Sequence, residues 1–174
     1  MLGIDATAAR VSDACWRERA AFAVLGGWVP TVPEPAAKLL VARHSRHHGW
    51  HAELLAEVRP VFRAHDGATE PVPLDERWVG ALDVVRGAPD LPTVERLAGV
   101  YQVLVPRLLA DYDRLLDATS VWSDGPVARR LRLIVDDERH ALSEGLVVLE
   151  GLLDGDADRA ARRRAEVEAR LPRP

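Results

Sequence analysis

The sequence predicts an all-α chain: a four-helix bundle with a long connection between its second and third helices that carries a short extra helix. Three observations lead there. Apolar residues recur at helical spacing through four long segments. No segment alternates apolar and polar residues between hairpin turns, so strands are not expected. Proline, glycine and aspartate clusters cut the chain where the helical patterns stop.

The first helix is expected from about Ala8 to Val29, stopped by Pro30-Thr31-Val32-Pro33. The second runs from about Pro35 to Val58 and is closed by Pro60. Residues 59 to 92 are rich in proline and glycine, with a short apolar helix near Asp75 to Val85. The third helix covers about Thr93 to Ala118. The turn Ser120 to Gly125 follows, and the fourth covers about Pro126 to Leu153, with Ser123 or Asp124 as its cap. We divide the chain into a helical bundle, residues 1–155, and a charged C-terminal tail or short helix, residues 156–174, whose Arg162-Arg163-Arg164 run reads as a solvated face.

Composition narrows the function. The 174 residues suit one domain, and 48% hydrophobic residues suffice for a sizeable core. A formal net charge of −4 gives no basic face for nucleic acid. The single cysteine, Cys15, excludes a disulfide within the chain and a four-cysteine zinc site; on the apolar stripe it reads as a buried, inert thiol. Met1 to Arg10 does not read as a secretory leader, and no apolar run approaches the roughly 20 residues of a membrane span. A cytoplasmic protein that engages neither nucleic acid nor membrane is expected.

Polar residues on the apolar faces carry the functional signal. At about 100° per residue, Val11, Cys15, Phe22, Leu25 and Val29 form one stripe of the first helix, with Glu18 in its middle. On the second helix, His44, His48 and His51 fall among Leu40, Val41, Leu55 and Val58, and His47 falls on the edge. On the fourth, Glu138 is central among Val127, Leu131, Ile134, Leu142, Leu149 and Leu152; Asp137 lies a quarter turn away and His140 further round. The third presents Val94, Leu97, Tyr101, Leu104, Leu108, Tyr112 and Leu115, with two tyrosines, no central carboxylate and Asp111 at the edge. Folding the first two helices about Thr31 sets Glu18 opposite roughly His44. Folding the last two about Trp122 sets Glu138 opposite roughly Pro106.

Two carboxylates and several imidazoles in an apolar interior are costly unless neutralised, and a divalent metal neutralises them most simply. Glu18, His48-x-x-His51 and Glu138, with the segment from Arg43 to Glu53, resemble the ferritin-like superfamily, in particular small bacterial ferritin-like proteins, over residues 8 to 153. The two short helix pairs and one long crossover agree with that topology. The resemblance implies a carboxylate/histidine metal centre, often two irons that activate dioxygen. This chain departs from the usual pattern: histidine replaces the first carboxylate of the second helix, Ala141 stands where helix four should carry histidine, and helix three offers only Tyr101 or Asp111.

The expected function is therefore a metal-dependent, non-haem iron oxidoreductase, an oxidase or oxygenase acting on a small molecule. Its metal ligands are Glu18, His44, His48, His51 and Glu138, and Tyr101 or Tyr112 supplies a proton or an electron. One or two iron ions are expected, with manganese or zinc as substitutes and a metal-free centre as the other option. The alternative is a metal-free protein on the same scaffold: a binding or assembly module, or an isomerase or lyase that uses a His/Glu acid–base pair. Iron storage requires a many-subunit shell for which the sequence gives no sign; a homodimer is the base-rate expectation. His65 and His140 read as surface residues, and Trp16, Trp28, Trp50, Trp78 and Trp122 as packing or interface residues.

Overall fold

The structure is a computed structural model that describes residues 2–60, 70–120 and 122–172, and it is all-helical, with no strand among the described residues. His65, Asp66, Gly67 and Val121 lie outside the described residues. Helix α1 spans Ile4–Trp28 and α2 spans Pro35–Val58. Proline at the start of α2 costs no intrahelical bond, because the first N–H groups of a helix have no partner. Helix α3, Arg77–Arg86, ends at Gly87, whose φ of 64° suits a residue without a Cβ. Helix α4, Thr93–Gly99, runs into a π-helical turn, Val100–Leu104, and then α5, Val105–Ala118. Helix α6 is Gly125–Glu150 and α7 is Ala157–Arg170. None is long and apolar enough to cross a membrane.

The expected third helix is thus one element interrupted by a wider turn. Pro106 supplies the reason. It has no N–H for the carbonyl four residues back, and its ring would clash there. The chain widens instead, and the Val105 N–H bonds to the Val100 carbonyl five residues earlier.

Helices α1 and α2 pack along their lengths; α2 meets α6, α6 meets α5, and Arg17 and Glu18 of α1 bond to Asp111 and Tyr112 of α5. The core between them includes Leu25, Leu55, Leu104, Leu108, Leu131 and Ile134, all buried. Most of the expected inward faces are inward. Phe22 is the exception, at 48% exposure. Ala21, Val24 and Leu25 occupy the interior at that level, and the Phe22 ring lies over Gly49 of α2 on the outer surface. Trp28 and Trp78 are buried, whereas Trp50 is exposed and Trp122 is 95% exposed.

The tail also differs from a wholly solvated segment. Arg162 and Arg164 face outward, but Arg163 is buried with Ala160 and Val167 where α7 covers α3 and α4. Its guanidinium donates to the carbonyls of Val84 and Val85 and pairs with Glu166 at 2.7 Å. Those carbonyls belong to the last turn of α3, which has no intrahelical donors for them, so Arg163 serves as its cap.

Gly145 of α6 is set by Tyr101. A Cβ at Gly145 would lie 2.2 Å from the Tyr101 ring, so the absence of a side chain makes room for the tyrosine beneath α6. Gly145→Ala should destabilise the protein by about 1–3 kcal/mol through overpacking, which outweighs the up to ~1 kcal/mol that alanine contributes through helix propensity. In a Tyr101→Ala background the clash is gone and the same change should stabilise. Urea denaturation of the four proteins checks both signs.

Candidate metal centre

Four buried side chains converge where α1, α2 and α6 meet. Glu18 comes from α1, His48 and His51 from successive turns of α2, and Glu138 from α6; one ligand atom from each lies within 4.8 Å of the others. The helical spacing explains the convergence, since residues three apart on α2 share a face while Glu18 and Glu138 hold the centres of theirs. His48 Nδ1 is 2.7 Å from Glu18 Oε2 and 3.2 Å from Glu138 Oε1. His51 Nδ1 is 3.5 Å from the same Glu18 oxygen and 3.2 Å from the same Glu138 oxygen. Bonds of about 2.0–2.1 Å to a tetrahedral metal would separate its ligands by about 3.3 Å. Those contacts bracket that value.

The hydrogen bonding around the four favours the same point. Each imidazole Nδ1 faces two carboxylate oxygens and carries at most one proton, so it cannot satisfy both. His51 Nδ1 and Glu138 Oε2 are buried without any hydrogen-bond partner. Two of the atoms turned away from the centre are occupied. Tyr112 donates to Glu18 Oε1 at 2.5 Å, leaving Oε2 for the centre. His51 Nε2 donates to Asp137 Oδ2 at 3.2 Å, which leaves the Nδ1 lone pair free in the neutral ring. A carboxylate behind a metal-binding histidine fixes its tautomer in this way.

The sequence expectation placed His44 with these ligands and opposite Glu18. The structure sets His48 there, one turn further along, and the midpoint of the two positions is Pro33 rather than Thr31. His44 lies outside the cluster: its Nδ1 is 2.8 Å from the Tyr101 hydroxyl and its Nε2 is 3.1 Å from Glu144. Tyr101 therefore reaches His44, and Tyr112 reaches Glu18. Asp111 is engaged by Arg17 and Arg114, His140 is exposed on its own helix, and half-buried His47 stacks on His44. The roles of Asp137 and Glu144 were missed. They are seven apart on α6, as His44 and His51 are on α2, and the antiparallel pairing of the two sets was a usable signal.

The charge states follow from burial and neighbours. Burial raises the Glu18 carboxyl, but His48 and His51 reverse this and hold it at about 2. Burial lowers both imidazoles, yet the two glutamates outweigh it, raising His48 and taking His51 to about 10. His44 has only the exposed Glu144 as a carboxylate partner, and burial holds it down to about 4. Burial and Glu18 push Tyr112 well above the ordinary phenol range. Burial likewise raises Cys15, which donates to the Ala52 carbonyl at 3.2 Å.

These shifts fix how stability of the chelator-treated protein depends on pH. His44 binds a proton more readily unfolded, so its contribution is complete above 6.5 and is lost as pH falls toward about 4. His51 has the opposite sign: its contribution is complete below 6.5 and is lost as pH rises toward about 10, and His48 acts in the same direction. Stability should peak near pH 6.5, and His44→Gln should flatten only the limb between 6.5 and about 4. Denaturation midpoints across pH test this, and an unchanged acid limb in the variant would refute it.

No protein-family model, curated protein or solved structure matches this chain, so its function has to be read from the site itself.

Proposed function

We propose that Glu18, His48, His51 and Glu138 hold a divalent metal and that the chain is a ferritin-like, non-haem iron oxidoreductase. The observation that carries the metal reading is the buried convergence of two Nδ1 atoms and two carboxylate oxygens, with His51 Nδ1 and Glu138 Oε2 left without hydrogen bonds. A dication balances two carboxylates beside neutral imidazoles, which removes most of the cost of burying them. Mixed nitrogen and oxygen ligands suit iron, and also zinc or manganese.

The ferritin-like part rests on the order of the helices. Two short-turn pairs, α1 with α2 and α5 with α6, are joined by the long stretch after α2, as in a four-helix bundle with one crossover. Bound iron would supply redox chemistry with dioxygen. The chain's own residues would exclude bulk water, hold Glu18 through Tyr112 and set the His51 tautomer through Asp137. We read the partner as a small-molecule substrate and the assembly as a homodimer.

A second reading draws on the 2.7 Å contact between His48 and Glu18, which already makes a good ion pair. In it the cluster is a metal-free acid–base pair or a packing device. Titration of chelator-treated protein with iron(II), manganese(II) and zinc(II) separates the two. The metal reading expects one high-affinity ion per chain. His48→Ala and Glu138→Ala should abolish that binding, and Asp137→Asn should weaken it by about 10–100-fold. Absence of stoichiometric binding of all three ions would leave the metal-free reading standing.

A further inference from the structure

Arg17 and Glu18 are consecutive, as are Asp111 and Tyr112, and the two pairs meet across the α1–α5 contact. Glu18 and Tyr112 bond on the metal-cluster side. Arg17 and Asp111 bond beside an open-sided cavity of about 260 Å3, bordered by α1, the segment 74–78, α5 and Pro172, which Tyr112 also lines. That volume lies just below the roughly 300–1,000 Å3 typical of ligand clefts, so it suits a small occupant.

Among the described residues, the cavity has an excess of unpaired positive charge. Its three carboxylates are all engaged. Asp13 takes Arg17 and the Leu74 N–H, Asp111 takes Arg17 and Arg114, and Asp75 takes Arg77. Arg17 is buried and stacked on Trp78 at 4.1 Å, and its Nε has no hydrogen-bond partner. Arg10 and Arg107 also line the cavity, and neither has an ion-pair partner among the described residues. Trp78, Leu74 and Leu115 supply apolar wall.

We propose that this cavity binds a small organic carboxylate, with the anion on the Arg10 and Arg107 guanidinium groups and the apolar body against Trp78 and the leucines. Guanidinium groups match a carboxylate in geometry and charge. The apolar wall favours an organic acid over inorganic phosphate, which has no apolar part to bury. That the carboxylate is the substrate of the neighbouring centre rests on the function proposed above; the binding itself does not.

Calorimetric titration of chelator-treated protein with benzoate, benzyl alcohol and inorganic phosphate provides the test. Benzoate should bind saturably, one per chain, and more tightly than the other two. Arg107→Gln should weaken it about tenfold or more, the worth of one charge-assisted hydrogen bond. Arg10→Gln, at an exposed position that puts no fold at risk, should weaken it less. Arg132→Gln, which removes an equal charge outside the cavity, should leave it unchanged. The proposal is overturned by absence of saturable benzoate binding, by tighter binding of phosphate, or by wild-type affinity in both cavity variants. Benzoate binding in a protein that takes up no metal would sink the metal reading alone; metal uptake without benzoate binding would sink this one alone.

Discussion

Burying four titratable side chains at one point of an apolar core constrains everything around them. An isolated charge in such a place costs several kcal/mol even after relaxation, and removing one partner of a buried pair typically costs about 3–5 kcal/mol. Glu18, His48, His51 and Glu138 therefore have to be positioned together, and three helices meet at their level. Whether metal or protons complete the charge balance, the positions of α1, α2 and α6 are tied to one another by atoms about 3 Å apart.

The surrounding residues can be understood as consequences of that constraint. Tyr112 and Asp137 occupy the outward atoms of two of the four groups, which fixes ring and carboxylate orientation. Tyr101 approaches the same interior from another helix, and its ring needs the space that Gly145 leaves. Its segment is also where the helix widens before Pro106. A π-helical turn at an interior tyrosine is often found at functional sites. Here the geometry gives it a local cause as well, a proline that cannot accept the regular helix.

Much of this was legible in the sequence because helical periodicity converts spacing into facing. Glu18 and Glu138 stood out as charges at the centres of apolar stripes, and both are buried. Spacing on one helix says little about register between two, however. A shift of the fold point by two residues moved the partner of Glu18 from His44 to His48, and with it separated His44 from the cluster. Phe22 failed for a related reason: the stripe was broad enough to include it, but the interior at its level was already filled by smaller side chains. Arg163 was hidden because a run of three arginines looks uniformly solvated until one knows that the last turn of α3 needs a donor there.

The α1–α5 contact shows how one pair of helix positions can join two environments of opposite character. Neighbouring residues on a helix point about 100° apart, so Arg17 and Glu18 face different neighbours, as do Asp111 and Tyr112. The chain places the charged pair toward the cavity, where Trp78 and a second carboxylate steady the arginine, and the Tyr112–Glu18 bond toward the cluster. The two environments are joined by one peptide bond on each helix, Arg17–Glu18 and Asp111–Tyr112.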